Sequence, residues 1–186
     1  ARYEYGRCLL SVGKAGEADG AADKNAYINE EFDKYITDSY VVGFNGEKLE
    51  ANAFDVMIAL NVEVRKPQEE RSYPVFVYSE NGGPKKYISP VLGKGLWGPI
   101  WGYMALEEDL NTIYGAVFDH KGETPGLGAD INKAWFQEPF AGKTLFDENG
   151  KFVSIEVVKA AVFKLNHAVD DTLRMNHDLD QLGRQV

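Results

Sequence analysis

The chain has 186 residues, 44% of them hydrophobic and 26% charged, a composition that fits one globular domain with a sizeable core and excludes wholesale disorder. Its formal net charge of -9 repels phosphate backbones and argues against a nucleic-acid partner. The single cysteine, Cys8, excludes an internal disulfide and leaves the redox compartment open.

In chain order, residues 1–22 read as a linker. Tyr5, Leu9 and Val12 could form a short helical stripe, but Gly13, Gly16 and Gly20 follow among small and acidic residues. The sequence starts at Ala1 without a methionine, and no run of eighteen apolar residues occurs in it. The expectation is a membrane anchor upstream of this linker, with a globular domain over residues 23–186.

From Asp23, an expected N-cap, Ile28, Phe32, Tyr35 and Ile36 recur at helical spacing with Glu30 and Glu31 turned away, which predicts one amphipathic helix. Ser39 to Phe44 predicts a strand ending in the turn Asn45-Gly46, and the alternation in Phe54 to Val64 predicts a long strand. Three hairpins follow. Tyr73–Ser79 and Lys85–Val91 flank Asn81-Gly82-Gly83, residues that tolerate the positive φ of a tight turn. Ile100–Leu106 and Ile113–Phe118 flank Asp109-Leu110-Asn111, and Thr144–Phe146 and Phe152–Val158 flank Asp147-Glu148-Asn149-Gly150. Met175, Leu179 and Leu182 give a closing helical stripe. The fold class is therefore α+β, with largely antiparallel twisted sheets built from hairpins and helices near the N- and C-terminal ends. Without βαβ alternation, a Rossmann or flavodoxin-like architecture is excluded.

Several motifs bear on chemistry. Gly93-Lys94-Gly95 lacks the spacing of a phosphate-binding P-loop. In Gly122 to Gly128, Pro125 sets one φ while Gly126 and Gly128 allow backbone N–H groups to approach a ligand, with Glu123 and Thr124 beside them. That loop either cradles a ligand or is purely structural. Trp97 and Trp101 lie four apart near a strand, where they would share a face as core residues or touch a ligand. His120, His167 and His177 have no metal-ligand spacing, and a Ser89, His120, Asp119 triad lacks a nucleophile elbow. Lys143 is either a surface lysine or a cation facing a phosphate.

Taken together, Gly-Lys-Gly-Leu-Trp-Gly (93 to 98), Gly-Glu-Thr-Pro-Gly-Leu-Gly (122 to 128), Trp135, Phe140-Ala141-Gly142-Lys143 and Leu145-Phe146-Asp147-Glu148 occur in an informative order. Over about Phe54 to Asp170 the chain resembles the FMN-binding domain of respiratory membrane complexes. Within that family it is most similar to the NqrC component of the sodium-translocating NADH:quinone oxidoreductase, and next to the RnfG component of the Rnf electron-transport complex.

The resemblance implies an N-terminal transmembrane helix and a soluble domain on the outer, periplasmic side of a bacterial inner membrane. It implies partner subunits of a membrane respiratory complex and an FMN joined through its phosphate to a threonine, passing electrons without turnover by the isolated domain. It implies that Gly95, Leu96 and Trp97, then Glu123, Thr124, Gly126, Leu127 and Gly128, lie by the flavin, and that Lys143 offsets phosphate charge. No metal is implied, and no residue of the sequence suggests a sodium site.

At one place the sequence departs from the family. The acceptor threonine is expected in a Ser-Gly-x-Thr segment just after a His-x-Val-Asp turn. His167-Ala168-Val169-Asp170 is present, but Asp171-Thr172-Leu173-Arg174 follows directly and no Ser-Gly-x-Thr occurs anywhere. The covalent threonine is thus expected between Asp170 and Asp171, in a segment this sequence does not contain. Thr172 is a poor substitute, because Asp171 places a negative charge beside the attachment point.

Overall fold

The computed structural model of the chain describes residues 8, 9, 11, 23–155 and 157. The stripe Met175, Leu179 and Leu182, the turn His167 to Asp170 and most of residues 1–22 lie outside the described residues.

Helix α1 spans Lys24–Tyr35. Asp23 caps it: its Oδ1 accepts the Ala26 N–H at 3.0 Å and its carbonyl accepts the Tyr27 N–H at 3.1 Å. Ile28, Phe32 and Tyr35 form the buried face. Ile36, which continues the same periodicity, instead opens β1 (Ile36–Val42). The Asn45-Gly46 turn, with Gly46 at φ 82°, returns the chain to the short β2 (Lys48–Leu49).

The expected strand Phe54 to Val64 is helical: α2 covers Ala53–Ile58 and α3 covers Leu60–Glu63. The reason is local. Asn52 Oδ1 accepts the N–H groups of Phe54 (2.9 Å) and Asp55 (3.2 Å), satisfying donors that a helix start would otherwise leave orphaned. Ala53 and Met57, four apart, then share the buried face. The apparent alternation of Phe54 to Val64 competed with that cap and lost.

β3 (Tyr73–Tyr78) and β4 (Lys86–Lys94) form the first expected hairpin, and β5 (Pro99–Leu106) and β6 (Ile113–His120) form the second. In its turn, Asp109 Oδ1 accepts the N–H groups of Asn111 (2.9 Å) and Thr112 (2.8 Å), and Oδ2 accepts the Thr112 hydroxyl (2.6 Å). All six strands form one antiparallel sheet in the order β2-β1-β3-β4-β5-β6, consistent with the α+β class. Among the described residues the third hairpin is reduced to a bridge between Phe146 and Phe152. Its turn is made, with Asp147 N–H donating to the Lys151 carbonyl at 2.9 Å, but Ser154 at φ 59° then diverts the chain from extended pairing.

Strand alternation divides the core in two. On one face Val41, Phe76, Ile88, Tyr103 and Ala105 pack under α1 and α2. Phe54 ties α2 to this core through edge-on ring contacts with Phe32 (5.6 Å) and Phe76 (5.0 Å), pairs worth about 1 kcal/mol each beyond the buried area. Cys8 and Leu9 also belong to this core, and a Cβ on Gly115 would lie 2.5 Å from the Ser11 carbonyl, so this part of the 1–22 stretch crosses β6 at close range. On the other face Ile100, Ile113, Ala116 and Phe118 pack against Ile131, Phe140 and Ile155. The elements covering this second face come after β6: a 3-10 turn at Gly128–Asn132, the single-turn α4 (Ala134–Gln137) and a 3-10 turn at Glu138–Phe140.

Candidate functional site

The second strand pair ends in two loops at one end of the sheet. Lys94 pairs with Pro99, so Gly95 to Gly98 is the four-residue tip of the β4–β5 hairpin, closed by Gly95 N–H donating to the Gly98 carbonyl at 2.7 Å. Ile100 pairs with His120, and Lys121 N–H donates to the Pro99 carbonyl at 3.1 Å, so the loop leaving β6 starts beside that tip. Strand register, not sequence distance, therefore brings Gly95, Leu96 and Trp97 to residues 122–128.

Glu123 joins the two loops. Its Oε1 accepts the Trp97 N–H at 2.9 Å, and its own N–H donates to His120 Nδ1 at 3.0 Å. Glu123 is only 8% exposed, although Lys121, Gly122 and Thr124 to Leu127 around it are exposed. A side chain on either of the two glycines beside it would press on the Glu123 carboxylate. A Cβ on Gly95 would lie 2.4 Å from Glu123 Oε1, and one on Gly128 would lie 3.0 Å from Oε2.

The 122–128 loop holds its own shape. Thr124 presents its carbonyl to the N–H groups of Leu127 (3.1 Å) and Ala129 (3.2 Å), while Gly126, at φ 77°, donates to Asp130 Oδ1 at 3.3 Å. Above Gly122 and Gly126 a Cβ would meet nothing within 4 Å, so the backbone is bare there. Around it stand apolar side chains left in solvent: Trp97 is 69% exposed, Leu96 44% and Leu127 43%. Bare backbone beside exposed apolar surface suits a flat aromatic ring, which needs apolar cover and backbone donors together.

Other expected site residues lie elsewhere. Lys143 is held at the opposite end of β6, where its carbonyl accepts the Ile113 N–H at 2.8 Å. Seven residue steps lead from Ile113 to His120, on the order of 20 Å at about 3.3 Å per residue. Trp97 and Trp101 do not share a strand face, because β5 starts only at Pro99. Trp101 instead stands on β5 between Leu92 and Asp119 and lines a cleft of about 190 Å³ beside Met57 and Leu60, with its buried Nε1 lacking a hydrogen-bond partner. Among the described residues no His/Cys/Asp/Glu group could hold a metal ion. None of their helices is long and apolar enough to cross a membrane. His120 and Asp130 are the contributors that the sequence did not single out for this loop; their signal is position, at the strand end before Glu123 and four residues after Gly126.

The FMN-binding domain family matches residues 95–181. The crystal structure of the NqrC component of Na(+)-translocating NADH-quinone reductase from Parabacteroides distasonis superposes with a TM-score of 0.74 at 34% identity, covering 98% of this chain and 83% of that one. The chain belongs to the NqrC family. The NqrC component of the same reductase from Vibrio vulnificus (strain YJ016) is 33% identical over 169 residues, which is 83% of this chain and 66% of the relative. The one from Neisseria meningitidis serogroup B is 42% identical over 94 residues, half of this chain and 36% of the relative. This NqrC family member thus spans between about a third and two thirds of the length of these curated relatives.

The family match starts at Gly95, the first residue of the hairpin tip, and includes the whole 122–128 loop. Within the described residues the loop pair offers bare backbone and exposed apolar side chains, an arrangement suited to a flat aromatic ring. The exposed hydroxyl at hand, Thr124, belongs to a residue whose carbonyl already shapes the loop.

Proposed function

We propose that this domain carries FMN against the two glycine loops and serves as an electron-transfer subunit of a sodium-translocating NADH:quinone reductase. The observation that carries the reading is the pairing of exposed Leu96, Trp97 and Leu127 with bare backbone at Gly122 and Gly126, inside the stretch that matches the FMN-binding domain. FMN supplies the redox chemistry when bound; the chain's residues bind it, orient it and shield it from water. Trp97, Leu96 and Leu127 give the apolar cover, Gly95, Gly126 and Gly128 let the backbone come close, and Glu123 and Thr124 shape the loop.

The attachment in this reading is a phosphoester to a threonine of a Ser-Gly-x-Thr segment expected between Asp170 and Asp171, which this sequence does not contain, with Lys143 too distant along β6 to serve the same ring edge as Trp97. The membrane anchor, the periplasmic placement and the partner subunits of the complex belong to the same proposal. One observation favours a second reading, a cofactor-free interaction module of the same fold: the sequence contains no Ser-Gly-x-Thr.

The deciding experiment is denaturing electrophoresis of the full-length protein produced with its companion subunits, with intact-mass measurement. In-gel flavin fluorescence and an FMN-sized mass increment are the expected results. Flavin absorbance that disappears on denaturation would overturn the covalent link alone. No flavin before or after denaturation would overturn the flavin reading and leave the interaction module.

A further inference from the structure

We propose that Glu123 is a positioning residue, whose enclosed carboxylate fixes the β4–β5 hairpin tip, and with it Trp97, against the 122–128 loop. The inference rests on the flavin-carrying reading for its purpose, but its geometry stands without a flavin. Glu123 is the buried residue of an otherwise exposed segment from Lys121 to Leu127. A carboxylate taken out of water loses hydration that one N–H does not replace, and no ion pair to Glu123 is found among the described residues. A loop that only had to lead from β6 to α4 gains nothing from burying this group.

What the burial achieves is contact with both loops at once. Oε1 holds the Trp97 N–H at 2.9 Å and lies where a Gly95 side chain would begin. Oε2 lies 3.0 Å from where a Gly128 Cβ would stand, a tight contact. The carboxylate therefore passes between two backbones at glycines, where no side chain crowds it. His120 Nδ1, accepting the Glu123 N–H at 3.0 Å, ties the other end of the residue to β6. The chain of contacts His120, Glu123, Trp97 spans from the end of β6 to the hairpin tip, so an exposed indole is held through its backbone. Exposed apolar side chains lose more order on binding a ring when they are free to move, and a fixed hairpin tip removes part of that cost.

The test compares Glu123→Ala with Glu123→Gln, since Gln keeps an oxygen that can accept the Trp97 N–H and Ala does not. In the flavin-free chain, amide hydrogen exchange at Trp97 is expected to quicken at least tenfold in Glu123→Ala and far less in Glu123→Gln, with Phe76 and Ile88 unchanged. Unchanged exchange at Trp97 in Glu123→Ala overturns the proposal. Should Glu123→Ala fail to fold, Gly95→Ala displaces the carboxylate without deleting it and is expected to quicken Trp97 in the same way; no change there also overturns the proposal. In the flavin-loaded full-length protein, the flavin absorption and circular-dichroism bands are expected to shift in Glu123→Ala and to return in Glu123→Gln. A wild-type protein that never takes up flavin refutes the functional reading, while the Trp97 exchange still decides the role of Glu123.

Discussion

Gly102 sits at the middle of β5, two strands deep in the hairpin system that carries the site, and its replacement by alanine tests the register directly. A Cβ there would lie 2.1 Å from the Val117 carbonyl oxygen, 2.7 Å from Phe118 Cδ1 and 3.2 Å from Phe118 Cα. Two of those three atoms are backbone, so no side-chain rotation relieves the contact, and β5 and β6 must separate by about 1 Å to reach ordinary van der Waals distance. Phe118 in turn packs on Phe140 at 5.0 Å and Phe136 at 6.0 Å, so the displacement reaches the elements that follow the 122–128 loop. Overpacking of this kind costs about 3 kcal/mol, which for a domain of this length lowers Tm by roughly 6–12 °C. Gly122→Ala is the control: nothing lies within 4 Å of its Cβ, and the same methyl is expected to leave Tm unchanged or slightly raised. Thermal unfolding followed by far-ultraviolet circular dichroism reads both. A Gly102→Ala chain melting within 2 °C of wild type, where about 2–4 °C is expected per kcal/mol, would refute the register assigned to β5 and β6.

Three further perturbations probe other parts of the molecule. Asn52→Ala removes the acceptor for the Phe54 and Asp55 N–H groups and should cost about 1 kcal/mol in urea unfolding, with an unchanged slope. A thermodynamic cycle of Gly95→Ala and Glu123→Ala should show the double variant more stable than the sum of the single changes by about 1–2 kcal/mol, because the methyl has no carboxylate to strike once Glu123 is gone; strict additivity would contradict the contact. At Glu63, burial alone would raise the carboxyl, but the Lys66 ammonium at 2.7 Å from Oε1 and the Ser72 N–H at 3.0 Å from Oε2 outweigh it and hold the group below its usual range. A lowered folded-state value means that this stabilisation is present above the unfolded carboxyl value of about 4.3 and is lost as pH falls through the folded one. The Tm gap between wild type and Glu63→Gln should therefore be wide at pH 7 and narrow toward pH 3, and an equal gap at both would count against it.

Local chemistry made part of this fold legible before any tertiary contact. Asn81 and Gly82 adopt φ of 51° and 73°, the left-handed conformations a tight turn needs, and the β3–β4 hairpin follows from those two residues. Asp23 and Asp109 act through side-chain oxygens on N–H groups within four residues, so α1 and the β5–β6 turn are likewise written in short stretches. Asn52 was an equally local signal, but the apolar alternation after it pointed to a strand, and only the burial of Ala53 and Met57 against the sheet settles the choice. The glycine loops could be named from sequence as candidates, together with the family they resemble. Their meeting could not. Glu123 and Trp97 are 26 residues apart, and what joins them is the β4–β5–β6 register, a product of many pairings that no short window contains. Backbone bonds to Ile113 hold Lys143 at the far end of β6, and the start of β5 at Pro99 separates Trp101 from Trp97. Composition and short motifs thus determined the class, the turns and the family, while strand pairing alone decided which of the chosen residues share a site, because side-chain proximity across a sheet depends on alignment between strands and not on order within one.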